Sequence, residues 1–135
     1  MSIQLAVATR NARLDAIEVE IGTAAILKLR TGAAPANCAA ADSGTVLCSI
    51  TLPSDYMAAA GSGSKAKAGT WSGTASGGGG TIAHFRIYDS GGSTCHLQGT
   101  VTITSGGGDM ELDNNVVADG QTVTITTFTL TDANA

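Results

Sequence analysis

Residues 81–104 read TIAHFRIYDSGGSTCHLQGTVTIT, and the fold turns on how that stretch pairs with itself. Ala83, Phe85 and Ile87 recur at every second position, and so do Cys95, Leu97, Val101 and Ile103 once Gly99 is counted in the series. A period of two marks half-buried strands, because successive side chains of a strand point to opposite faces. Bringing both apolar sets to one face predicts an antiparallel hairpin with Ile87 opposite Cys95 and Phe85 opposite Leu97. That register leaves Ser90, Gly91 and Gly92 as a three-residue loop, a length that needs a left-handed residue, which Gly92 supplies. The outward face would then carry His96 opposite Arg86, with His84 as a diagonal neighbour.

Working outward, the same alternation recurs on both sides. Leu27 and Leu29 alternate with Lys28 and Arg30, and Val46, Cys48, Ile50 and Leu52 form a second inward set that Pro53 ends. Residues 54–80 are less regular. Tyr56 and Met57 suit a short edge segment, residues 65–72 a strand around Trp71, and residues 76–80 a flexible glycine tract. Beyond the hairpin, a glycine loop at 106–108 leads to Met110 and Leu112. In the last strand, residues 121–131, Val123 and Ile125 are out of phase with Phe128 and Leu130, which predicts a bulge at Thr126 and Thr127. Six to eight short strands with glycine-rich turns predict a mainly β fold, an antiparallel β-sandwich of Ig-like or jelly-roll-like type.

Before residue 23 the period is different. Leu14, Ile17 and Ile21 recur at helical spacing, and Gly22 stands where a left-handed cap would end the helix. The expected organisation is an N-terminal helix or arm at 1–22 and a β-sandwich domain at 23–135. The stripe Leu14, Ile17 and Ile21, with Arg10 and Arg13 beside it, is the candidate partner-binding surface. It would serve equally to close the sandwich's own core.

Composition narrows the function. The chain has 135 residues; Ala, Gly, Thr and Ser fill 69 of them, while Ile, Leu, Val and Phe number only 27. Charged residues make up 13%, about half of what an average domain carries. Burial against a partner subunit would relieve that shortage of large apolar side chains. The net charge of −4 argues against a duplex nucleic acid partner. It is also unevenly spread, since residues 87–135 hold six acids and no Lys or Arg. No apolar run reaches the ~20 residues needed to span a bilayer, and the first 25 residues lack a secretory layout.

Catalytic chemistry is poorly supplied. There is no G-x-S-x-G elbow and no G-x-x-x-x-G-K-[ST] phosphate loop. His84 and His96 lack a third metal ligand, so surface histidines are expected. Asp109, Glu111 and Asp113 depart from the calcium-loop pattern and read as an outward strand face. No cofactor and no metal are expected, and the chain does not read as an enzyme. Cys38, Cys48 and Cys95 form no CxxC pair. Cys48 and Cys95 fall on core faces, whereas Cys38, in a loop, is the one placed for cross-linking; free thiols are the default in a reducing setting.

The order of motifs carries a resemblance. A helix containing RNARLDAI at residues 10–17 is followed by LKLRTG at 27–32, Pro35, LCSITL at 47–52, AHFRIYDSGG at 83–92 and GQTVTI at 120–125. This resembles a group of small proteins encoded among the structural genes of tailed phages and prophages, across roughly residues 10–131. The resemblance implies a virion structural protein, most simply a capsid decoration protein that cements the head shell. Its partners would be the major capsid protein or other virion proteins, with homo-oligomers and without nucleic acid or membrane. Assembly would take place in the bacterial host cytoplasm. The alternatives are a tail, neck or fibre-associated module, or a receptor- or glycan-binding β-sandwich.

Overall fold

The computed structural model describes residues 3–133. A single helix, α1 (Val7–Ile21), opens the fold, and Gly22 ends it with φ +83° and its N–H donating to the Glu18 carbonyl at 3.0 Å. Ten strands follow: β1 (Ile26–Arg30), β2 (Val46–Thr51), β3 (Ser64–Ala66), β4 (Ser72–Thr74), β5 (Gly80–Thr81), β6 (His84–Tyr88), β7 (Cys95–Ile103), β8 (Met110–Leu112), β9 (Val116–Val117) and β10 (Thr122–Thr131). Eight of them form one sheet in the order β2-β1-β6-β7-β8-β10-β3, with β4 also on β10; β5 and β9 pair separately.

The fold is therefore mainly β with one N-terminal helix, as expected. The sheet, however, is mixed and curls into a half-barrel, because β7 and β8 run parallel; it does not divide clearly into two antiparallel layers. The parallel pair arises from the turn at residues 104–109. There Glu111 accepts the N–H groups of Ser105 and Gly107, and Asp109 accepts from Thr100 N and Oγ1, both at 2.8 Å. The carboxylates expected on an outward strand face thus hold this turn in shape, and Asp113 does the same for Asn114 and Thr124.

The β6–β7 hairpin is antiparallel, but its register differs from the simple alternation. Ile87 faces Leu97, Phe85 faces Gly99 and Arg86 faces Gln98, while Tyr88 faces Cys95 across a bulge at His96. The extra residue takes Cys95 off the core face and sets it beside Tyr88. Gly92 does take the left-handed conformation, at φ +70°. In β10 the register shifts between Ile125 and Thr127, so the phase change at Thr126 is a bulge as the sequence suggested.

The core fills the curl of the sheet. Leu27, Leu29, Leu47, Cys48, Trp71, Ile82, Met110, Leu112 and Val123 are fully buried. Trp71 lies between β3 and β4, where its indole N–H reaches the carbonyls of Tyr56 (3.2 Å) and Ala68 (3.1 Å). Its ring meets Phe128 at 5.6 Å, and Phe128 meets Phe85 edge-on at 5.4 Å. Leu14 and Ile21 of α1 are buried under this sheet, each contributing about 1.5–3 kcal/mol. Ile21 belongs to the core cluster and Ile17 packs against it, partly buried. Residues 76–80, expected as a flexible tract, form a glycine turn that runs into the β5–β9 pair.

Candidate functional site

Three places concentrate polar chemistry or incompletely covered apolar surface. The first lies on the convex side of the central strands. In β6 all five residues are buried, so the face expected to meet solvent does not. Residues 31–45, a loop rich in small side chains, cover it. Arg86, 1% exposed, holds that loop down. Its Nη2 donates to the carbonyls of Asn37 (3.0 Å), Cys38 (3.0 Å) and Ala40 (3.1 Å), its Nε to Gln98 Oε1 (3.1 Å), and its Nη1 to Asp42. Arg30 Nη2 donates to the other Asp42 oxygen at 2.7 Å, and the Tyr88 hydroxyl donates to Asp42 Oδ1 at 2.5 Å. Partial burial alone would raise the Asp42 carboxyl, but Tyr88, Arg86 and Arg30 outweigh it and hold the group below its ordinary value. Burial, helped by the Asp42 carboxylate, pushes the Tyr88 hydroxyl up.

Two further polar groups belong to this side. His84 is fully buried, with Nδ1 2.7 Å from the Gly32 carbonyl and Nε2 left without a partner. It is not the surface histidine expected, and it does not adjoin His96, which forms the bulge. The Cys95 thiol donates to the Leu97 carbonyl at 3.4 Å and also lies within hydrogen-bonding reach of the Cys38 thiol. Burial and then that second thiol push Cys95 up to about 11.

The second place joins α1 to β3. Lys65, 2% exposed, meets Asp15 at 2.7 Å and Glu18 at 3.0 Å and donates to the Ala58 carbonyl at 2.9 Å. Burial works to lower the ammonium, but the two carboxylates outweigh it and raise it above the usual lysine value. Every donor of this ammonium has an acceptor, so it is not a nucleophile in waiting. The neighbouring Asp15 carboxyl is held low by the hydrogen bond from Lys65.

The third is a window in the core. β7 pairs with β8 only through residues 101–103, and β8 pairs with β10 only as far as Phe128. Beyond β8 the two long strands part, and a cleft of about 360 Å³ opens between Leu97 and Gln98 on one side and Thr129, Leu130 and Thr131 on the other, with Phe85 and Phe128 as its floor. Adjoining concavities run along α1, past Arg13, Ala16 and Ile17. Ile17, Leu97 and Leu130 are partly buried and pack against the core; Leu97 and Leu130 line this cleft, and Ile17 lines an adjoining concavity with Leu97.

The candidate partner-binding residues are thus divided by the fold. Leu14 and Ile21 are inside. Arg10 donates to the Asp132 carbonyl at 2.9 Å and packs against the turn at Gly63. Arg13 pairs with the Asp132 carboxylate at 3.3 Å but keeps 61% of its side chain exposed. Arg13 and Ile17 line the concavities along α1, which the buried Leu14 and Ile21 also border. Sequence reasoning missed Arg30, Arg86, Asp42 and Tyr88 as one cluster; its signal was two arginines and a tyrosine on the polar phase of adjacent strands, with no local acid to match them.

Among the described residues no group of three or more His, Cys, Asp or Glu is placed to hold a metal ion, and no helix is long and apolar enough to cross a membrane. No family model matches the chain, and no curated protein or solved structure is significantly similar to it.

Proposed function

We propose that the chain is a non-catalytic assembly component, a virion structural protein that decorates and stabilises an assembled phage head shell. The observation that carries the assembly reading is the window at Leu97 and Leu130, with Ile17 in the adjoining concavity, where the core meets solvent between two parted strands. A partner surface laid there would complete the burial that a chain so short of large apolar residues lacks. The partner is a second copy or the major capsid protein, and Arg13 at the rim supplies a positive charge toward it. The polar clusters support a structural role too, because Arg86 and Lys65 spend their hydrogen-bonding groups on the fold itself. A curled sheet closed by its own helix serves this purpose as well as a two-layer sandwich would. The head-shell setting rests on the resemblance of motif order to phage structural proteins. Many modest contacts, repeated over a shell, become effectively permanent together.

Copy number per purified particle, measured by quantitative mass spectrometry against the major capsid protein, is the test. A ratio near one, or between about one-third and two-thirds, is expected for a shell repeat in which every chain multiplies the same weak contact. A handful of copies would move the protein to the neck or tail, and complete absence would overturn the virion setting.

A further inference from the structure

We propose that Cys38 and Cys95 are a disulfide-forming pair that staples the 31–45 loop onto the hairpin. The placement follows from the clamp around Arg86. The loop is pinned at Pro35, whose carbonyl takes the Gln98 amide at 2.6 Å, and at Asp42, which takes the Tyr88 hydroxyl at 2.5 Å. Cys38 lies between those two anchors, its own carbonyl held by Arg86 at 3.0 Å. On the sheet below, Cys95 is the register partner of Tyr88 and sits two positions before the residue that faces Ile87. The bulge at His96 is what turns Cys95 toward the loop, and its thiol lies within hydrogen-bonding reach of that of Cys38. Cys38 and Cys95 are separated by 57 positions in sequence, and four hydrogen bonds from one guanidinium hold the loop that carries Cys38 against the hairpin that carries Cys95. The third cysteine, Cys48, is fully buried in the core on the opposite face and takes no part.

The chemistry needs an oxidant, and a low-molecular-weight disulfide such as oxidised glutathione supplies it. The half-exposed Cys38 thiolate attacks one sulfur of glutathione disulfide, forming a mixed disulfide and releasing one glutathione thiol. The Cys95 thiolate then attacks the Cys38 sulfur and expels the second glutathione. Two protein thiols lose two protons and two electrons, and one glutathione disulfide takes them up to become two thiols. Burial keeps Cys95 protonated, so the second step is slower than an exposed thiol would make it, while the adjacent Arg86 charge favours its thiolate. The staple belongs to an oxidising setting; in a reducing one both thiols stay free.

The experiment incubates the folded full-length chain with oxidised glutathione, quenches with acid, alkylates in denaturant and maps chymotryptic peptides, which separate Cys38 from Cys48 by cleavage after Leu47. The expected product is a monomer lighter by two hydrogens, with Cys38 linked to Cys95, no retained glutathione, and Cys48 alkylated. It should form at an oxidised glutathione concentration about ten-fold lower than in urea, because folding raises the effective concentration of one thiol at the other. The Cys95→Ser chain should instead retain one glutathione on Cys38. A covalent dimer through Cys38, or a wild-type chain that keeps glutathione on Cys38 while Cys95 remains alkylatable, would overturn the pairing. So would equal linkage in the folded and urea-unfolded states.

Discussion

Arg86 gathers five acceptors from two separate parts of the chain: the Gln98 side chain of β7, and the Asp42 carboxylate with three carbonyls of the covering loop. Only a guanidinium presents enough donors in a flat fork to do this, since an ammonium offers three from a single point. Arg86→Ala is therefore expected to cost about 3–5 kcal/mol in urea unfolding, and Arg86→Lys to recover less than about half of that. The pH dependence of the same cluster has a definite sign. Asp42 titrates lower in the folded chain than in the unfolded one, so its contribution is present above the ordinary carboxylate value and is lost as pH falls through the folded value. Asp42→Asn should lower the melting temperature at neutral pH, with the gap to wild type narrowing as pH falls below the ordinary carboxylate value. Lys65 works at the other end: its value is raised, so its contribution holds below the ordinary lysine value and fades as pH rises through the folded one. Lys65→Met should accordingly change the profile most at neutral pH and least in strong alkali, as thermal scans across pH would show.

At the scale of elements, α1 packs against the sheet and contributes Ile21 to the core cluster. Leu14 and Ile21, each 4% exposed, sit beneath the sheet, so Leu14→Ala should cost about 2–5 kcal/mol, and a chain lacking residues 1–22 should show no cooperative unfolding transition. Strand β7 has a comparable weak point. A Cβ on Gly99 would stand 2.8 Å from the Phe85 ring and 2.9 Å from Asp109, so Gly99→Ala should cost about 1–3 kcal/mol; the midpoint of urea unfolding measures both. Much of this was legible in sequence, because alternation at Leu27/Leu29, Phe85/Ile87 and Val123/Ile125 is a local property of each strand. So was the phase change at Thr126, which no regular strand could absorb. The hairpin register was not legible. Matching apolar faces put Ile87 opposite Cys95, whereas the bulge at His96 moves Cys95 to the other face, where the loop at 31–45 covers it. That covering is a long-range contact with no periodicity of its own, and the alternation of Lys28, Arg30, His84 and Arg86 looks the same whether water or a loop lies over it. The candidate site suffered from the same ambiguity: one helical stripe can face a partner or the chain's own sheet, and the spacing of Leu14, Ile17 and Ile21 is identical in either case.

For the molecule as a whole, the decisive feature is that a sheet of eight strands fails to close on itself. β8 is three residues long where its neighbours β7 and β10 have nine and ten, so the layer splits beyond it. Phe85 and Phe128 seal the split from within; Leu97 and Leu130 are left at its rim, and Ile17 lies beside Leu97 in the adjoining concavity. A rim of this kind is too small to destabilise the monomer severely, yet with the adjoining concavity it gives a partner three apolar side chains to bury. If a second copy provides that cover, the native state is stabilised by mass action, and the melting temperature must rise with protein concentration. A ten-fold increase should raise it by roughly 2–5 °C for a chain of this size. Leu130→Lys, at a half-buried rim position, should cost the monomer less than about 1.5 kcal/mol while making the melting temperature independent of concentration. A flat profile for the wild-type chain would assign the cover to a different protein, and the same Leu130→Lys substitution should then reduce retention on purified shells.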